Sequence, residues 1–134
     1  MAKSGRYSAD RKKVEALTAS KTIEVHDCGT IFFCDVGDAT MTLPAAASAG
    51  NGWWCKFVLS DEPGTKLRID GNGTETMVVS AIAADGVTQN DGTCVNLDID
   101  TNGDIGDVVE AICDGSKFYL FALVKANAAT TANT

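Results

Sequence analysis

Residues 108–125 read VVEAICDGSKFYLFALVK, and this stretch decides the fold. Two apolar runs flank Asp114-Gly115-Ser116, a trio suited to a tight reversal, so residues 108–113 and 117–125 are predicted to form a β-hairpin. Side chains alternate between the faces of a strand. Phe118, Leu120, Ala122 and Val124 therefore share one face, and Tyr119, Phe121 and Leu123 share the other. Both rows are apolar. A strand with one solvated face carries a polar outer row, so the second face here is expected to be covered as well.

The same grammar extends outward. Residues 30–36 (TIFFCDV) and 39–43 (ATMTL) flank a turn at Gly37-Asp38, and Pro44 ends the second run. A small-residue loop at 45–52 leads into 53–59 (WWCKFVL); residues 66–69, 75–82 and 93–99 follow, with a loop at 85–92. Phe32 and Phe33, like Trp53 and Trp54, must point to opposite faces. Beyond residue 20 no stretch sustains a helical period, and only 8–17 could be helical or extended. Turns recurring every eight to twelve residues or about that argue for an all-β chain, an antiparallel β-sandwich or jelly-roll-like domain. The expected organisation is an arm over 1–21, extended or partly helical, a sandwich over 22–125 and a small polar tail over 126–134. With so few helical residues to cover a sheet, the second apolar face is expected to meet other subunits. Trp54, Tyr119, Phe121 and Leu123 are the candidate interface residues.

The chain has 134 residues, 45% of them apolar and 22% charged, which is one globular domain's worth. A chain of this size buries roughly 68% of its unfolded surface, so it needs no disulfide or metal staple. The net charge of −7 offers no positive excess to displace counterions, which argues against nucleic acid as a partner. The longest apolar run, 118–124, is too short to cross a bilayer, and the charged start is followed by no apolar leader segment, so neither membrane nor secretion is expected. That charge divides unevenly: residues 1–21 carry +4 and the rest −11. Lys3, Arg6, Tyr7, Arg11, Lys12 and Lys13 thus form a basic arm ahead of an acidic body, suited to docking on an acidic partner surface. The bland alternative is a solvated terminus.

Reactive chemistry is sparse. The five cysteines, Cys28, Cys34, Cys55, Cys94 and Cys113, are odd in number and lack C-x-x-C spacing, and His26 is the one histidine. They read as small hydrophobes of a protein made in a reducing cytoplasm. Asp98, Asp100, Asn102 and Asp104 begin like an EF-hand calcium loop, with Gly103 at its sixth position. The twelfth position, where a bidentate Glu belongs, is Val109, so the segment reads as a turn with weak candidacy as a cation site. No nucleophile, phosphate-binding or zinc-protease motif occurs, and neither an enzyme nor a cofactor is expected.

Three phrases, taken in order, carry a resemblance. Asp27-Cys-Gly29-Thr-Ile31-Phe-Phe33 is followed by Met41-Thr-Leu43-Pro44-Ala45-Ala46. Gly50-Asn-Gly52-Trp53-Trp54-Cys-Lys-Phe57-Val58 comes next, and the last phrase runs from Gly106-Asp107-Val-Val-Glu110 to Cys113-Asp114-Gly115-Ser116-Lys117-Phe118-Tyr119. Together, over about residues 24–124, they resemble bacteriophage virion proteins, specifically small capsid-decoration (cement) proteins and the related β-domains of head and tail fibres. The resemblance implies an all-β subunit, usually a homotrimer, located in the virion, with a structural or adhesive role and no catalytic site. A trimeric cement protein bound to the major capsid protein on the outer shell is the first expectation. A host-recognition domain of a head or tail fibre, binding through loops such as 85–92, is the alternative.

Overall fold

Period-two alternation produces twelve strands among the described residues of the computed structural model, which are 11–73, 75–126 and 129–134. They are β1 (Lys13–Leu17), β2 (Lys21–Thr22), β3 (Thr30–Cys34), β4 (Asp38–Thr42), β5 (Asn51–Leu59) and β6 (Lys66–Asp70), then β7 (Met77–Ala83), β8 (Gly86–Cys94), β9 (Asn96–Asp100), β10 (Val108–Asp114), β11 (Phe118–Leu123) and β12 (Thr130–Asn133). One helical turn, α1 (Ala46–Ala49), follows Pro44, and its first amide, on Ala46, donates to the Glu75 carboxylate at 2.9 and 3.1 Å. The strands form a seven-stranded sheet, ordered β1-β3-β5-β10-β11-β7-β8, and a five-stranded sheet, ordered β12-β9-β6-β4-β2.

The chain is all-β, as its sequence predicts, but the sheets are mixed and not antiparallel. Pairs β1–β3, β3–β5, β7–β11, β2–β4 and β4–β6 are parallel. The cause is the path of the chain. From β1 to β6, successive strands alternate between the two sheets, so a strand returning to its own sheet runs in the same direction as the last one there. The turn at Gly37-Asp38 accordingly carries the chain from β3 in one sheet to β4 in the other, and the two runs it separates do not pair. The hairpin of β10 and β11 forms as expected, with Ala111 opposite Leu120.

Three boundaries also move. Lys13–Leu17, read as part of the arm, is an edge strand parallel to β3. Thr130–Asn133, read as tail, pairs antiparallel with β9. The expected loop at 85–92 is mostly strand β8, paired with β7. Its Asn, Asp and Gly residues have turn propensity, and backbone pairing with β7 overrides it.

One core serves both sheets. Phe32 stacks on Phe57 across β3 and β5 (centroids 5.4 Å apart), and Trp53 meets Phe118 edge to face at 5.7 Å. Met41, Leu67, Ile69, Leu97 and Ile99 enter the same cluster from the smaller sheet. Each large side chain buried this way contributes about 1.5–3 kcal/mol. The loop between β9 and β10 fits tightly against this core. A Cβ on Gly103 would lie 2.6 Å from Ile99 Cγ2 and 3.0 Å from Leu59 Cδ1, so the close approach requires glycine.

Cys34, Cys55, Cys94 and Cys113 are buried and Cys28 is exposed. Burial pushes the Cys34 thiol up to about 12 and raises the other three buried thiols as well. A thiol-specific chromogenic reagent should therefore titrate one cysteine in the native protein and all five in denaturant. Fast reaction of a second native thiol would contradict this burial.

Candidate docking face

The two sheets differ in what they show on the side away from the core. On the five-stranded sheet every outward row is polar. Asp100 stands opposite Lys66 and Lys66 opposite Asp38, while Thr131, Asp98, Arg68 and Thr40 form the next row. Arg68 grips Asp98 through two bonds, Nε–Oδ1 at 2.6 Å and an Nη2–Oδ2 bond at 2.8 Å. This face is complete in water.

The seven-stranded sheet is the reverse. Ala16 stands opposite Phe33, Phe33 opposite Val58, and Val58 opposite Val108. Val108 then faces Leu123, Leu123 faces Ile82, and Ile82 faces Val87. One apolar row thus crosses all seven strands. A second row on this face runs Trp54, Ile112, Tyr119, Val78 and Asp91. Between the two lies a third row, of Val14, Ile31, Lys56, Glu110, Phe121, Ser80 and Gln89. Among the described residues, six of the eight exposed large hydrophobic ones, Val14, Phe33, Ile82, Val87, Phe121 and Leu123, belong to these rows, and Leu123 is 59% exposed. An open groove of about 370 Å³ runs along this face, lined by Lys56, Glu110, Ser80, Ile82, Phe121 and Leu123 among others. Contiguous exposed apolar surface of this kind is suited to docking on another protein.

All four residues proposed from the sequence as interface, Trp54, Tyr119, Phe121 and Leu123, lie on this face. Val14, Phe33, Ile82 and Val87 were not singled out. Phe33 was legible only as lying on the face opposite Phe32. Val87 was not, because β8 carries polar residues on both sides and reads as a loop. At one end of the face Asp114 organises the turn between β10 and β11. Its Oδ1 accepts from the Ser116 and Lys117 amides (2.8 and 2.9 Å) and from the Ser116 hydroxyl, and its Oδ2 accepts from Tyr119 Oη at 2.9 Å. Gly115 supplies the φ of +92° that the turn requires.

These bonds, the amides of Ser116 and Lys117 first, hold the Asp114 carboxyl below the usual carboxylate range. A depressed pKa stabilises the folded turn above the unfolded pKa of about 3.9 and is lost as pH falls through the folded value. Carbon-13 NMR titration should find Asp114 still ionised at about pH 3, with the turn amides losing hydrogen-exchange protection only in more acid solution. A midpoint near 3.9 would contradict the network.

The remaining predicted residues are placed separately. Lys3, Arg6 and Tyr7 lie outside the described residues. Arg11 and Lys12 are exposed ahead of β1, and Lys13, the first residue of β1, donates from Nζ to the His26 carbonyl at 2.7 Å. The candidate calcium ligands do not converge. Asp98 is taken by Arg68, Asp100 Oδ1 accepts from the Asn102 amide, and Asp104 Oδ1 accepts from the Ile105 amide. Buried Asp107, which the motif omits, ties this loop down through the amides of Asp104 and Lys125. Among the described residues no group of three or more His, Cys, Asp or Glu side chains is placed to hold a metal ion, and no helix is long and apolar enough to cross a membrane.

The chain matches no protein-family model, no curated protein and no solved structure.

Proposed function

We propose that this chain is a structural virion protein, a bacteriophage capsid-decoration protein that works as a homotrimer on the outer shell. The observation that carries this reading is the contrast between its two sheets: one outward face is finished in polar residues and the other carries an apolar row across all seven strands. A surface of the second kind is suited to burial against other protein. In the proposed trimer, two sheets stack as a sandwich within each copy and the apolar faces of three copies turn toward a common axis. The basic residues ahead of β1 dock on acidic surface of the major capsid protein. Binding confined to the assembled shell stabilises it by mass action, which is what cementing means physically. The resemblance of the ordered sequence phrases to phage virion β-domains supports the same reading.

Sedimentation should give three times the chain mass, and an antibody against the chain should label virions at regular positions on the shell. A truncation removing residues 1–12, which spares β1, should remain trimeric and lose binding to capsids. Label confined to tail tips would select the host-recognition role instead, and virions without label would overturn both.

A further inference from the structure

Lys56 and Glu110 stand in the middle of the apolar face. They are register partners on β5 and on β10, the central strand of the seven, with Nζ and Oε2 3.5 Å apart and side chains 33% and 34% exposed. Trp54 and Val58 flank Lys56 along its face of β5, Ile112 and Val108 flank Glu110 on β10, and Ile31 and Phe121 bound the pair across the row. Apart from Asp91 on the edge strand β8, they are the only charged residues in the three rows. A half-exposed pair of this kind adds little to the stability of a fold. The same pair becomes decisive once the face is covered, because charges taken out of water must be matched in position.

We infer that the occupant of this face is a second copy of the chain, and that Lys56 of one copy meets Glu110 of the next, fixing the register of assembly. This rests on the self-association in the reading above and names its specificity determinant. Two features favour a copy over another partner. A plain apolar partner would bury the Lys56–Glu110 pair and offer nothing in place of its lost water, and a partner of single sign would repel one of the two charges, whereas a copy brings one of each. The face also has room for neighbouring copies: seven strands at about 4.8 Å and three rows at about 7 Å give roughly 700 Å² per copy, which a ring divides between its two junctions. Around a cyclic axis two different patches meet at every junction, so the pairs close into one ring of alternating charge.

The test is a charge swap. The double variant K56E/E110K keeps a complementary pair and should fold and assemble with itself as the natural chain does. Mixed with differently tagged natural chain, it should sort, since every mixed junction brings like charges together. Native mass spectrometry should show mixed oligomers depleted at least tenfold below the statistical ratio. Statistical mixing, or a folded swap that fails to assemble, would overturn the inference. The single variants K56E and E110K should each weaken self-association at least tenfold, and unchanged association in either would also overturn it. A natural chain that stays monomeric at every concentration would instead overturn the self-association on which the inference rests.

Discussion

Leu123→Asp should turn the assembled protein into folded monomers. Leu123 sits between Val108 and Ile82 in the row that crosses the sheet, and more than half of its surface is open to water. In the isolated chain a carboxylate there remains solvated, so fold stability should change by no more than about 0.5 kcal/mol. In the proposed assembly the same carboxylate would be buried without a partner, which costs at least about 2 kcal/mol at each interface, or roughly 30-fold in affinity. Three interfaces compound that loss. Sedimentation velocity over a concentration series, with a thermal melt of the same samples, reads both quantities. An unchanged sedimentation coefficient beside an unchanged melt would remove this face from the assembly.

Phe57→Ala should do the opposite damage. Phe57 is buried against Phe32 and stands opposite Val109 on the central strand. Truncation leaves a cavity where two rings stacked and costs about 3–5 kcal/mol, a large part of the 5–15 kcal/mol or so that holds a domain folded. The midpoint of thermal unfolding should fall by roughly 10–20 °C. Phe33→Ala is the matched control, one residue from Phe32 on the opposite face. It should leave the melt of the monomer nearly unchanged and weaken self-association. If Phe57→Ala melted within about 2 °C of the natural chain, the stacked pair would not be part of the core.

What could be read in advance was facing, and what could not was partnership. Period two puts Phe32 and Phe33, and Trp53 and Trp54, on opposite faces whatever strand lies alongside, because it depends only on backbone geometry, and the structure turns Phe32 and Trp53 inward. Nothing in TIFFCDV or ATMTL says whether the turn between them closes a hairpin or passes to another sheet, and the chain does the second. Strands held by backbone pairing in place of apolar side chains were also silent. β12, with the sequence TTAN, is fixed to β9 by its ladder and by Asn133 Nδ2, which donates to Asn96 Oδ1 at 2.7 Å. The four candidate docking residues were legible because bulky side chains on both faces of β5 and of β11 leave no polar outer row. Val14, Ile82 and Val87 became visible only when register aligned them into one row.

The position of β10 in the sheet has a consequence for timing. It joins the β1-β3-β5 side of the sheet to the β11-β7-β8 side, yet residues 108–114 leave the ribosome after every other strand of this sheet except β11. Until they are inserted, neither half of the apolar row reaches the other and Lys56 has no Glu110 beside it. Pairings so distant in sequence close slowly. A nascent or truncated chain therefore lacks the continuous surface on which the proposed assembly depends, and that surface arrives with the completion of the sheet.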